Sequence, residues 1–133
     1  MIHTTTVRVR YSETDAQGVV NNGNYLSYFE VGRVEWLRAA GLSYRGLEER
    51  GYGFVVVEAR VFYHRAARFD DELVLRTRLS DLGRTSLRFD YEVLRDGEAV
   101  ATGYTRHACI RLSSGRATRI PEAVMGALKA GGG

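Results

Sequence analysis

One acidic side chain sits where acyl chemistry needs it. Asp15 lies in the stretch 11–40, YSETDAQGVVNNGNYLSYFEVGRVEWLRAA, a few residues ahead of the cluster Asn21-Asn22-Gly23-Asn24. Beyond that cluster Tyr25, Phe29, Gly32, Trp36 and Ala40 recur at helical spacing, with Leu26, Tyr28 and Leu37 beside them. Asn22 or Asn24 makes a good N-cap, and Gly41 a good stop. A helix N-terminus carries unpaired N–H donors and favours negative charge. A carboxylate beside it supplies a base or nucleophile next to an oxyanion site, the minimum kit for acyl transfer. Spacing alone leaves a second reading open, that of a turn carboxylate near a helix start.

Other chemistries have little to work with. His3, His64 and His107 are far apart and show no metal-ligand spacing, so no metal site is expected. Cys109 is the only cysteine and falls in a strand pattern without a His-Asn context; it reads as a buried structural thiol. No Gly-x-Ser-x-Gly is present. Gly51-Tyr52-Gly53 lacks the further glycines and the lysine of a phosphate loop.

The elements that must position Asp15 follow from periodicity. Residues 4–12 alternate, with Val7, Val9 and Tyr11 on one side, and predict a half-buried strand. The long helix comes next. Ser43 caps a short helical turn at 43–50, with Leu47 as its apolar contact. The β-branched and aromatic run 54–64 predicts a strand. Residues 72–81 place Leu73, Leu75, Thr77 and Leu79 on one face, and 85–95 place Leu87, Phe89, Tyr91 and Val93 on one face. Asp96-Gly97 is the strongest hairpin signal in the chain. The return strand, 98–112, is expected to turn Val100, Tyr104, Ala108, Ile110 and Leu112 to one face. Pro121 opens a short helix at 121–129, and Gly131-Gly132-Gly133 is expected to fray. One strand, a long helix and four more strands make an α+β fold, an antiparallel sheet with a helix on its concave face.

The totals agree. The 133 residues predict one domain, 1–133, and the 44% hydrophobic content fits a soluble globular protein. No apolar run approaches the roughly 20 residues of a membrane span, and the first residues lack the regions of a signal peptide. The expected compartment is therefore the cytoplasm. The net charge of +3 rests almost wholly on arginine, Lys129 being the only lysine. The arginines are dispersed, whereas a nucleic-acid surface prefers a clustered patch; no nucleic-acid or membrane partner is expected.

The run Tyr11-Ser12-Glu13-Thr14-Asp15-Ala16-Gln17-Gly18-Val19-Val20, continuing through Asn24-Tyr25, resembles the 4-hydroxybenzoyl-CoA thioesterase family of hotdog-fold proteins. Phe29-Glu30, Arg33 and Glu35-Trp36-Leu37 extend the likeness. Tyr63, Arg65, Ala67-Arg68 and Asp71-Glu72-Leu73 look like a second signature; Gly83 with Ser86-Leu87, and Ala101, Gly103 and Pro121, look like later ones. The chain departs from many relatives at Asn21-Asn22, where they carry an aromatic and a histidine or an aromatic pair, at Ala66, where they have proline, and at Asp70, where they have glycine. Every residue but proline keeps a backbone N–H, so the Asn22 donor does not depend on its side chain, and Asp tolerates a left-handed conformation better than most.

The resemblance implies a five-stranded antiparallel sheet wrapped around one long helix, and hydrolysis of an acyl-CoA thioester without metal or prosthetic group, coenzyme A being part of the substrate. It implies Asp15 as the catalytic carboxylate, attacking directly or activating water. Gly18, Asn22 and Tyr25 are the candidate oxyanion and substrate-binding residues, although Tyr25 lies on the apolar stripe and also reads as core. Arg65, Arg68, Arg84 and Ser86 are candidates for holding coenzyme A. The resemblance further implies a homodimer with active sites at the subunit interface, pairing into a homotetramer. Two alternatives stand beside this reading: a thioesterase acting on an acyl-carrier protein, and a module that binds acyl-CoA without cleaving it.

Overall fold

A computed structural model describes residues 1–132. The elements in chain order are β1 (Ile2–Arg8), α1 (Asn24–Ala39), α2 (Tyr44–Glu49), β2 (Tyr52–Tyr63), β3 (Glu72–Leu82), β4 (Ser86–Arg95), β5 (Glu98–Arg111) and α3 (Glu122–Gly132). The five strands form one antiparallel sheet in the order β1-β3-β4-β5-β2. The sheet packs around α1, which is the hotdog architecture. Among the described residues no helix is long and apolar enough to cross a membrane.

The core forms where two periodicities meet. The expected faces of β3 and β4 are buried, through Leu73, Leu75, Thr77 and Leu79 and through Leu87, Phe89, Tyr91 and Val93. α1 buries Tyr25, Tyr28, Phe29, Gly32, Trp36 and Leu37, at helical spacing. Phe29 stacks on Tyr91 at 4.2 Å between ring centroids, and Trp36 meets Phe89 edge-on at 5.3 Å. Each such ring contributes about 1.5–3 kcal/mol by leaving water. Glycine permits the close approach: a Cβ on Gly32 would collide with Thr77 Oγ1, and one on Gly103 would meet the Phe29 ring at 2.9 Å.

Several local expectations hold. Ser43 Oγ accepts a hydrogen bond from Gly46 N–H at 3.0 Å and caps α2. Asp96 and Gly97 have φ of 51° and 80°, the pair of positive values that a type I′ hairpin turn requires. Asp70 takes the left-handed conformation, at φ 69°.

Others are corrected. β1 ends at Arg8, and residues 11–13 form a 3-10 turn instead of continuing the strand. The cause is Glu13, whose carboxylate accepts from Arg10 N–H at 2.8 Å and turns the chain. Neither Asn22 nor Asn24 caps α1; the cap position is Gly23, without a side-chain cap bond. Asn21 acts one residue earlier, its Oδ1 accepting from Gly23 N–H at 2.9 Å in an Asx-turn. On β5 the inward face carries Ala101, Thr105, His107 and Cys109, so Tyr104, Ala108, Ile110 and Leu112 do not share the core. The apolar pattern misleads there because inward polar groups bond to one another. Tyr91 Oη and Thr105 Oγ1 are 2.6 Å apart, and Thr105 Oγ1 and His107 Nε2 are 2.7 Å apart. Tyr104 instead lies under the Arg88 guanidinium at 3.9 Å. Gly131 and Gly132 belong to α3 rather than to a frayed end, because their missing side chains admit Trp36 and Leu79; Gly133 lies outside the described residues. Cys109 is fully buried as expected, and burial pushes its thiol pKa up.

His107 gives the fold a pH dependence. Burial, helped by the nearby Arg33 charge, pushes its pKa down from 6.5 to about 4. Between those values the unfolded chain binds the extra proton and the folded chain does not, so stability rises with pH across that window. Acidification from pH 6.5 to 4 should therefore remove about 3 kcal/mol through this residue. Urea unfolding at a series of pH values checks this, and His107→Gln should flatten that part of the profile.

Candidate active site

Asp15 sits at the tip of a small hairpin. Thr14 bridges Val20, Asp15 N–H donates to Val19 O at 2.9 Å, and Gly18 N–H donates to Asp15 O at 2.9 Å. Gly18 adopts φ +79°, a left-handed position that glycine fills without strain. The Asp15 side chain is exposed; its Oδ1 accepts from Gln17 N–H at 2.8 Å, and no cation pairs with it among the described residues. One carboxylate oxygen is thus held by the loop's own backbone, which leaves Oδ2 available.

Two fastenings hold this hairpin against the rest of the chain. The first is Glu13, which accepts from Arg10 N–H and from the Tyr28 hydroxyl at 3.0 Å and pairs with Arg10 Nε at 3.3 Å. Burial pushes the Glu13 pKa up, but these donors and the Arg10 charge outweigh it and hold the carboxyl below its ordinary range. Burial and the same carboxylate push the Tyr28 hydroxyl pKa up, so the tyrosine keeps its proton and donates it. The second is the segment after β2: Val20 N–H donates to Ala67 O at 2.8 Å, and Val19 bridges Arg68. That segment is itself anchored by Asp71, which accepts from Arg68 N–H at 2.9 Å and pairs with Arg95 at 3.0 Å. The Arg68 N–H, with the Arg95 guanidinium, holds the Asp71 pKa down.

Asn22 presents the free donor. Gly23 N–H is taken by Asn21 Oδ1, and Asn24 N–H by Asn21 O. Asn22 N–H has no acceptor among the described residues. Its carbonyl is fixed by the Tyr63 hydroxyl, which donates to Asn22 O at 2.9 Å. Asn22, Tyr25, Tyr63 and Arg65 line one cleft of about 290 Å³, together with Val19, Val20, His64 and Ala66. Tyr25 is buried to 2% exposure and meets Tyr63 edge-on at 5.5 Å, so it serves the core and the cleft wall together.

The sequence-predicted residues therefore fall into two groups. Asp15, Gly18, Asn22, Tyr25, Arg65 and Arg68 gather at one end of the sheet. A Cβ on Gly18 would lie 3.7 Å from Arg68 Nη1, and Arg65 pairs with Glu98 at 3.1 Å. Arg84 and Ser86 lie at the opposite end. Tyr63 and Val93 both pair with Ala101, whereas Ser86 and Val55 both pair with Ala108. From Val93 to Ser86 is about 24 Å along β4. Glu13, Tyr28 and Tyr63 were missed as positioning residues. The signal available for Glu13 was its place two residues before Asp15; its partner Tyr28 is brought to it only by folding.

Comparison with known proteins bears on the family and the fold. A family model described as the thioesterase-like superfamily matches residues 9–128. The Haemophilus influenzae acyl-CoA thioesterase YbgC is 33% identical over 91% of this chain and 90% of its own length. The solved structure of the Thermus thermophilus protein TT1821 superposes with a TM-score of 0.92 at 43% identity, covering 96% of this chain and 97% of the other. The DHNA-CoA thioesterase of Staphylococcus aureus superposes with a TM-score of 0.91 at 26% identity, over 97% and 91%.

The hairpin fastening is open to test. Tyr28→Phe removes one donor to an ionised carboxylate and should lower stability by about 1.5–3 kcal/mol. Hydrogen exchange at the amides of Asp15 and Gly18 should accelerate with it; unchanged exchange there would mean that Glu13 does not hold the hairpin through Tyr28. The chain belongs to the thioesterase-like superfamily and has the hotdog fold.

Proposed function

We propose that this protein is an acyl-CoA thioesterase that hydrolyses a small or medium acyl-CoA to the free acid and coenzyme A, with Asp15 as the catalytic carboxylate. The observation that carries this reading is that an available Asp15 carboxylate and a free Asn22 N–H just before α1 are held at the same end of the sheet. Similarity to YbgC, an acyl-CoA thioesterase, supports the substrate class.

Thioester hydrolysis needs an attacking oxygen and a donor for the charge that develops on the carbonyl oxygen. In one route Asp15 attacks the carbonyl carbon, giving a mixed anhydride and expelling the thiolate; water then cleaves the anhydride. In the other, Asp15 takes a proton from water as that water attacks. In both, the Asn22 N–H receives the oxyanion, and a preorganised donor is worth most there. The exposed Asp15 side chain and the open cleft call for a second surface to complete the site. β2 is an outer strand with Val55, Val56 and Val57 exposed, and such an edge invites pairing. Two copies joined antiparallel along β2 would return the Arg84 and Ser86 end of one sheet to the Asp15 end of the other. Those two residues, with Arg65 and Arg68, are the proposed hold on coenzyme A.

Thiol release from a panel of acyl-CoA esters tests the activity. Asp15→Asn should keep the fold and lower kcat by about a hundredfold or more; near-normal turnover by the folded variant would remove Asp15 from the mechanism. Asn22→Ala should lower kcat by no more than about tenfold, whereas Asn22→Pro, which lacks the donor, should lower it by about a hundredfold or more. Equal large losses in the two would assign the role to the amide side chain instead, provided a structure of the proline variant shows Asp15 undisturbed.

A further inference from the structure

Helix α1 carries two opposite charges, Glu30 and Arg33, that have no ion-pair partner among the described residues, while Glu35 and Arg38 on the same helix form a pair. The i,i+3 spacing permits a Glu30–Arg33 bridge. Arg33 is half-buried, with its charge near the Tyr91 hydroxyl, whereas Glu30 is exposed. Both side chains line a cleft of about 260 Å³ between α1 and β2, with Val56 and Ala59 on its far wall. Around that cleft Val56 and Val57 are 46% and 63% exposed, and Leu26 of α1 is 43% exposed. The outer edge of β2 runs alongside, with no strand beyond it. Val57 sits at the bulge where the β2–β5 register shifts, and an exposed valine there is left uncovered by its own sheet.

We infer that this face is the contact with a second copy of the chain, and that Glu30 of each copy pairs with Arg33 of the other. The inference rests on the dimer proposed above and adds the charges that determine its register. A two-fold contact is self-complementary: where residue i meets j, j meets i. Such an axis passes midway between Glu30 and Arg33 on α1. Val56 and Ala59 of β2 stand across the same cleft, so a contact centred there would bring helix and strand against the second copy together. The exposed valines and Leu26 then meet their own counterparts and leave water. The Arg33 guanidinium has five N–H donors, enough to face Tyr91 and a partner carboxylate together.

The arrangement makes a charge-exchange experiment decisive. Wild-type protein should sediment as a dimer or as a pair of dimers. Glu30→Arg and Arg33→Glu, each alone, place like charges opposite one another twice per dimer and should weaken self-association by about a hundredfold or more. An equimolar mixture of the two variants restores both pairs in a mixed dimer and should recover association to within about tenfold of wild type. The combined variant should recover likewise. Single variants that dimerise as wild type would overturn the ion pair while leaving the dimer standing; a monomeric wild type would overturn both. Loss of turnover without loss of association would place Glu30 and Arg33 against substrate instead, and overturn the pairing. If circular dichroism shows Arg33→Glu unfolded, Glu30→Arg decides alone: its dimer must weaken.

Discussion

The close seating of α1 on the sheet is the constraint on which the rest depends. A helix with a bulky residue at position 32 would ride higher, and Phe29 would lose its stack on Tyr91. Gly103 plays the same part from the sheet side, because its missing Cβ leaves room for the Phe29 ring. Close-packed interiors tolerate little added volume, so these two glycines determine how near the helix axis lies to the strands. The height of the helix in turn determines where its N-terminus, and the free Asn22 amide, emerge.

The loop that carries Asp15 inherits its position from that seating. Tyr28 is on the buried stripe of α1, and its hydroxyl reaches Glu13 in the turn before Asp15. Tyr63, at the end of β2, reaches the carbonyl of Asn22. The carboxylate and the amide proposed to act together are thus tied to the same helix and the same sheet end, although neither touches the other directly. The polar groups that do this are few, and each is satisfied; a bond to an ionised carboxylate is worth more than a neutral one. The buried chain from Tyr91 through Thr105 to His107 is of a different kind. It lies under α1, and it introduces a pH-sensitive group into an otherwise apolar layer.

Elements with strong local signals were legible in the sequence, and the reason differs from one to the next. β3 and β4 alternate cleanly because one face is buried and the other carries charge. The Asp96-Gly97 turn was legible because few residue pairs accept two positive φ values. The β5 face was misread because Thr105 and His107 are polar yet buried, and nothing local announces that Tyr91 awaits them across the sheet. The ends of α1 and β1 shifted for a related reason: Asn21 and Glu13 bond to backbone amides two or three residues away and take over as local turn-makers.

For the site, the sequence alone marked the carboxylate proposed to act, the helix that follows it, and the family signature around both. These are local in the chain, because the hairpin at Asp15 and the first turn of α1 are closed by bonds between residues a few positions apart. Only the tertiary structure decided which amide at that helix start is left without an acceptor, and that Arg84 and Ser86 stand at the far end of the sheet from Asp15 within one chain. Strand register and sheet order separate residues or bring them together irrespective of their distance in sequence, and both follow from which faces the whole chain can bury at once.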